Sequence, residues 1–415
     1  MAAEIIIIGA GVIGAATALA LQKDGHKVTL IDRDEPCAGA SFGNAGAIVN
    51  GSCAPTAMPG ALFEGIRMLA QAKSPISIHP AYLHKLAPWM FCFLLQSRSS
   101  AVIKNAHSLH ALSQHAVVSW QQLIKRSELW SLFRSTGWLK VYESSKTFAD
   151  AAKSHQLMDQ LGVPYELLDA AQIRDLEPAL APIFKHGFYQ QDSLSISNPE
   201  RLVKGMVKQF VGSGGAYKKF AVGQITVRDN SIELESLDER LSADKIIIAA
   251  GAWSRALARQ VGDNIPLDTE RGYHLMLGHS AQSLLSRPVL NEESSFVLSP
   301  METGLRMTAQ VEFAGMDILP NFNKIRSLLP LAKQMLPDLE PREESAWMGF
   351  RPSLPDSLPV LGFSSQSNNV LYAFGHQHLG MTLAAISAQI IADLVASREP
   401  PIAVSPYRPD RFTTL

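Results

Sequence analysis

A two-domain α/β protein is expected here: a nucleotide-binding domain of the Rossmann type built from separated stretches, with an α+β domain inserted between them. Three features of the 415-residue sequence carry that expectation. A βαβ unit opens the chain. The length exceeds the roughly 300 residues at which a single core usually stops growing. Apolar runs that end in glycine recur at 251 and 375, as strands returning to the first sheet would.

The opening unit is specific in its order. Glu4-Ile5-Ile6-Ile7-Ile8 reads as a buried strand. Gly9-Ala10-Gly11-Val12-Ile13-Gly14 completes a G-x-G-x-x-G, and a helix over 15–22 stops near Gly25. A strand over 27–31 then closes on Asp32, eighteen positions after Gly14 (32 − 14). Gly9 allows the tight turn, Gly11 lets backbone approach a pyrophosphate, and Gly14 lets helix pack on strand. The helix start offers free N–H groups and a positive dipole end to the anion. Asp32 suits a ribose diol.

Composition narrows the function classes. The chain is 47% hydrophobic and 18% charged with net charge −1, so no electrostatic footprint for nucleic acid exists. Cys37, Cys53 and Cys92 fit neither a metal motif nor a disulfide framework, which suggests a reducing, cytoplasmic setting. The start of the chain does not read as a signal peptide. No uninterrupted apolar stretch reaches the ~18 residues of a spanning helix.

Farther along, 33–51 reads as a small-residue loop and 60–135 as largely helical, broken at Pro75, Pro80 and Pro88. A strand over 138–142 and a helix near 146–161 follow. Asn198-Pro199-Glu200 signals a helix start. Short strands are expected at 221–227, 231–236 and 245–250, with a turn at Asp229-Asn230. Residues 261–348 read as alternating strands with one helix near 321–336. A last strand at 370–374, a tight turn at 375–380 and a helix over 381–397 complete the chain. The pattern places 1–51, 196–260 and 349–415 in the nucleotide domain, and 52–195 and 261–348 in a substrate domain.

Five motifs span nearly the whole chain. They are Gly9 to Asp32; Ser41-Phe42-Gly43-Asn44-Ala45-Gly46; the strand from Ile246 to Ser254; Gly349-Phe350-Arg351-Pro352-Ser353-Leu354-Pro355-Asp356; and Gly375-His376-Gln377-His378-Leu379-Gly380-Met381-Thr382. Together they resemble the D-amino-acid oxidase superfamily of FAD-dependent oxidoreductases, and within it bacterial D-amino acid and D-hydroxyproline dehydrogenases. The resemblance implies FAD. Three glycine-rich turns that touch one extended cofactor point the same way. Expected cofactor contacts are Gly9, Ala10, Gly11, Val12, Ile13, Gly14, Asp32, Arg33, Ser41, Asn44, Ala45, Gly46, Val222, Ala250, Gly251, Trp253, Arg351, Gly375, His378, Leu379, Gly380, Met381 and Thr382. Some relatives tether the flavin through a His in the loop or a Cys before the arginine motif. Asn44, Ala45 and Met348 stand there instead, so non-covalent FAD is expected, with Cys53 the one nearby thiol.

The resemblance assigns Arg351 as substrate-carboxylate anchor, and a guanidinium offers the bidentate fork that role needs. Arg271 and Tyr273, an Arg-x-Tyr on one strand face, are further candidates. His376 and His378 sit two apart on a turn, which is poor chelating geometry. No metal is expected; His378 is expected at the flavin. The implied reaction is oxidative deamination of a D-amino acid, or of a cyclic imino acid such as D-proline or hydroxyproline. Hydride would pass from Cα to flavin N5, with a quinone or partner protein as electron acceptor. The sequence also leaves open an oxygen-using oxidase of the glycine or sarcosine type, a flavoprotein subunit of a larger complex, and an NAD-dependent dehydrogenase. The apolar run 86–95 suits either a buried helix or a peripheral contact with the inner face of the cytoplasmic membrane. Oligomeric state is not legible.

Overall fold

The computed structural model describes residues 2–60, 74–229 and 231–412. Positions 61–73 of the expected helical stretch, and Asn230 of the expected turn, lie outside the described residues. The elements that position the site are, in chain order, β1 (Glu4–Ile8), α1 (Val12–Lys23), β2 (Lys27–Asp32), α2 (Leu83–Gln96), α3 (Pro199–Gly212), β3 (Ala216–Lys219), β4 (Lys245–Ile248), β5 (Asp268–Leu277), β6 (Gly304–Phe313), β7 (Glu343–Ser353), β8 (Val360–Phe363), β9 (Val370–Phe374) and α4 (Gly380–Val395).

Among the described residues, one six-stranded sheet runs β3-β2-β1-β4-β9-β8. The pairs from β3 through β9 are parallel, and β8 joins antiparallel at the edge. All four isoleucines of β1 are buried, as a strand covered on both faces requires. α1 starts at Val12, three residues earlier than expected, so Gly14 lies inside the helix. A Cβ there would stand 1.8 Å from Gly9 O. β3 was unforeseen. Its Ala-Tyr-Lys-Lys sequence is polar because it forms the exposed edge beside β2. The strand expected at 221–227 begins only at Gln224, and a further strand at Arg240–Ala243 completes a small antiparallel sheet.

Gln377–Val395 is long and apolar enough by mean hydropathy to cross a membrane, although Gln389 and Asp393 interrupt its apolar residues. It is 72% buried, however, and packs against α1. That is the environment of a core helix.

The larger, nine-stranded sheet carries β7 at one edge, followed by β5 and β6, all antiparallel. β7 runs unbroken from Glu343 to Ser353. The boundary expected at 349 therefore falls inside a strand, and 349–353 belong to this sheet. Every residue of β5 is buried. One face packs on helices Asn323–Arg326 and Leu329–Met335 through the apolar cluster that includes Tyr273, Leu275, Leu328 and Leu336. The helix expected over 321–336 is thus two helices. Pro330 sits in the first turn of the second, where its missing N–H is tolerated.

Candidate active site

A cavity of about 350 Å³ runs from the β1–α1 turn past β4 and β9 to the free edge of β7. Gly9, Gly11, Val12, Ile13, Asp32, Arg33, Ser41, Asn44, Val222, Ala250, Gly251, Trp253, Gly375, Gly380 and Met381 line it. These come from the separated stretches the motifs marked. Ala10, Gly14, Ala45, Gly46, Leu379, Thr382, Arg351 and His378 are not on its wall. Several of them shape it. Ala10 N–H donates to Asp32 Oδ2 at 2.7 Å, holding the acid at the turn. Thr382 Oγ1 accepts from Val49 N–H at 3.3 Å, tying α4 to the 41–49 loop.

The cavity fits a dinucleotide. Gly9 has φ +114°, and a Cβ on it would lie 2.4 Å from Ala249 O, so the turn exists only with glycine. The α1 start has no cap from its own N-cap residue. Ser41 Oγ takes the Val12 N–H at 3.0 Å, and the rest of the first turn faces an anion position. At the other end, Arg33 stacks over the Trp253 ring at 3.8 Å, giving a flat platform. Sequence reasoning missed Phe220 and Ala221 here; they follow the unforeseen β3 edge strand. It also missed Gln377 as a wall residue, although it stands in the glycine-bounded turn.

One face of the large sheet meets the 41–46 loop. It carries Glu270, Gly272, His274 and Met276 on β5, Trp347, Gly349, Arg351 and Ser353 on β7, and Arg306 on β6. Phe42 lies 5.8 Å from His274 and 5.7 Å from Trp347, ring to ring. Arg306 was not foreseen. Its Nη1 donates to the carbonyls of Phe42 at 2.9 Å and Asn44 at 2.7 Å, so one buried cation fixes the loop. Burial pulls its pKa down to about 10. The trace in sequence is a lone cation among apolar residues at an inward strand position. Asn44 Oδ1 in turn accepts from Gly46 N–H at 2.8 Å. Buried His274 Nδ1, Ser299 Oγ, Thr308 Oγ1 and Gln310 Oε1 have no partner among the described residues. A polar cofactor ring or substrate beside this face would satisfy such atoms.

Arg351 lies across Gly272: a Cβ at Gly272 would stand 2.3 Å from its Cζ. Its Nη1 donates to Gln310 O at 3.0 Å. Gln310 has φ +72°, at the irregularity where β6 places two residues, Gln310 and Val311, opposite the single Gly272. The bulge turns that carbonyl out of the ladder toward Arg351. His378 feels the Arg351 charge and, with burial as the larger cause, its pKa falls to about 4. It is nevertheless accessible. A side chain that borders internal open space, yet is ringed by protein, shows both properties. His376 is buried instead, with Nε2 2.9 Å from Ser387 Oγ, and burial lowers it to about 3. Both are neutral near pH 7.

Arg271 and Tyr273 share a face, but it is the opposite one. Tyr273 OH donates to the Glu312 carboxylate, which also receives Lys324. Arg271 Nε donates to Gly315 O at 2.8 Å. The structure places this pair on the sheet face opposite Arg351: alternation along β5 sends odd positions toward the helices. Cys53 is buried in a separate cluster with Tyr142, Met158, Val163 and Phe188, and burial pushes its thiol up to about 11. Segment 86–95 lies within α2. Its Leu86 and Trp89 are buried, whereas Phe91 is 61% exposed. The segment is therefore half core and half surface. Among the described residues no His/Cys/Asp/Glu group could hold a metal.

Residues 4–394 match the family model described as DAO, FAD dependent oxidoreductase. The chain is 31% identical to a D-amino-acid oxidase of Bradyrhizobium diazoefficiens over 418 residues, covering 99% of each. Its fold is similar to glycine oxidase from Geobacillus kaustophilus, with TM-score 0.73, 21% identity and 98% of each chain covered. It is likewise similar to L-proline dehydrogenase from P. horikoshii, with TM-score 0.74, 17% identity, and coverage of 100% of this chain and 98% of the other. With a dinucleotide cavity built from three stretches and a full-length match, the chain belongs to the DAO family of FAD-dependent oxidoreductases.

Proposed function

We propose that this protein oxidises a small D-amino acid, or a D-configured cyclic imino acid such as D-proline or hydroxyproline, and passes the electrons to a quinone or a partner protein. The observation that carries the reading is the Arg351 guanidinium, spread over Gly272 with a hydrogen bond to Gln310 O and near enough for its charge to act on His378. The D configuration rests on the likeness to a D-amino-acid oxidase.

FAD would be held by the β1–α1 turn, the 41–46 loop and the turn before α4, and would supply the two-electron acceptor for the Cα–H bond. Arg351 binds the substrate carboxylate through its remaining donors and so fixes Cα. The start of α4 adds a positive dipole end. His378, neutral at working pH, can accept a hydrogen bond at a ring nitrogen from the substrate amine. Arg306 holds the loop backbone, and Phe42, His274 and Trp347 exclude water from that side. No side-chain nucleophile or metal is called for. The names of the relatives favour one second reading, in which oxygen takes the electrons. The cytoplasm, with α2 resting on the inner membrane face through its exposed Leu83 and Phe91, is the setting that suits a quinone acceptor.

An anaerobic screen of D- and L-amino acids, D-proline, hydroxyprolines, glycine and sarcosine, read by bleaching of the visible flavin band, tests the substrate class. Bleaching by L-amino acids alone, or by none of the set, defeats it. Mixing the reduced protein with aerated buffer tests the acceptor: fast return of the colour assigns oxygen.

A further inference from the structure

The carboxylate of Glu270 has no role so far. Glu270 stands directly opposite Arg351 in the β5–β7 register. It is buried, and its Oε1 accepts a hydrogen bond from Ser353 Oγ at 2.6 Å. Of the charges that reach it, Arg351 favours its ionised form and Asp268 opposes it; burial, the largest influence, raises its pKa. Ser353 Oγ also lies 3.3 Å from Gln377 Nε2, which donates to Leu354 O at 2.9 Å. Gln377 lines the cofactor cavity and has φ +49°, a conformation a non-glycine residue adopts only when its surroundings hold it there. Glu270, Ser353 and Gln377 thus form a hydrogen-bonded chain to the cofactor turn, with Arg351 opposite its first member and acting on it through charge.

A bound substrate would place a second carboxylate on the guanidinium that Glu270 already faces. That carboxylate would neutralise the Arg351 charge, which is what favours the ionised form of Glu270 against burial, so the two carboxylates do not both stay ionised. An α-carboxyl is the stronger acid of the two, so the proton resides on the glutamate. We propose that Glu270 is the positioning residue of Arg351, and that it takes up one proton from solvent whenever a carboxylate binds there, with Ser353 and Gln377 passing the change to the cofactor turn. The inference rests on Arg351 as the carboxylate anchor.

Other titrating or charged groups surround the pair. Asp268 on β5 is bonded by Tyr82 OH and the Thr269 N–H, and Arg255 acts on it from the helix after Trp253. His378 feels the charges of both Arg351 and Lys140. Arg271 and Glu312 occupy the opposite sheet face. Any of these could bend a pH profile, so the test must single out Glu270.

Propionate is a suitable non-reacting probe for the FAD-loaded protein, with binding read from the change in the flavin spectrum between about pH 5 and 9. For the wild-type chain, Kd should rise about tenfold per pH unit on the alkaline limb, the slope of one coupled proton. A pH-indicator dye in weak buffer should report proton uptake on mixing. Glu270→Gln keeps the acceptor for Ser353 and copies the neutral state. Its Kd should be flat across that limb and at least about tenfold lower than wild type at the alkaline end. Its proton uptake should vanish. A variant that keeps the wild-type slope and uptake overturns the proposal. If propionate fails to bind either protein at any pH, the anchor reading itself falls and this inference with it.

Discussion

Gly272→Ala separates the folding of β5 from its part in aiming Arg351. The backbone at Gly272 lies outside the left-handed region, so alanine is conformationally acceptable. Its Cβ would stand 2.3 Å from Arg351 Cζ and Nη2, and 2.8 Å from Nε. Non-bonded carbons settle at about 3.5–4.0 Å, so the guanidinium must retreat by roughly 1 Å or more. It is the far end of a flexible side chain, and the strands need not move. Backbone strain therefore adds little, and the stability change, about 1–3 kcal/mol, is set by the hydrogen bond that Arg351 loses. The retreat breaks the 3.0 Å bond to Gln310 O and displaces the anchor. A misplacement of about 1 Å reduces a well-aligned reaction by roughly 100-fold, or about 2.7 kcal/mol in kcat/KM. The assay is steady-state kinetics on the best substrate from the screen, with FAD content and Tm measured alongside. Wild-type kcat/KM in a fully FAD-loaded variant refutes the reasoning, because the overlap would then have been relieved without moving the anchor.

Arg351→Ala should weaken carboxylate substrates by about 2–4 kcal/mol in kcat/KM and leave the bound flavin spectrum in place; near-normal kinetics would exclude the anchor role. Arg306→Met should leave the carbonyls of Phe42 and Asn44 without their shared donor, weakening FAD binding by about 1–3 kcal/mol; an unchanged FAD dissociation constant from titration of the apoprotein contradicts that. Acid precipitation should release all yellow colour from the wild-type chain and from Cys53→Ala alike, and colour retained in the wild-type pellet alone would identify a thioether to Cys53. His376 is held neutral down to about pH 3, whereas in the unfolded chain it takes a proton below about 6.5. The unfolded state binds more protons between those values, so the stability His376 confers is complete above pH 6.5 and falls by about 1.4 kcal/mol per pH unit below it. His376→Gln should flatten that acid limb in denaturant titrations; an identical slope would show that the limb belongs to other groups.

The nucleotide half was legible wherever a feature is local. G-x-G-x-x-G, the acid at 32 and the apolar runs at 4–8 and 245–248 each report conditions set within a few residues, and the sheet assembles them as expected. The edge strand β3 escaped notice because an exposed edge imposes no apolar alternation. The break before Pro330 has a local signal, the proline that starts the second helix, but the apolar period of 321–336 runs across it.

The active-site face is another matter. Alternation placed Arg271 and Tyr273 together but could not say which side of β5 looks toward the cofactor. That depends on which face the helices at 323–335 cover. Arg306, Glu270 and the bulge at Gln310 become meaningful only once β5, β6 and β7 lie side by side in register. Chain order therefore announces a dinucleotide fold through close-range backbone constraints. The placing of Arg351 and Arg271 on opposite faces of the sheet, and the loop grip of Arg306, arise from contacts between residues dozens to hundreds of positions apart, which no local pattern encodes.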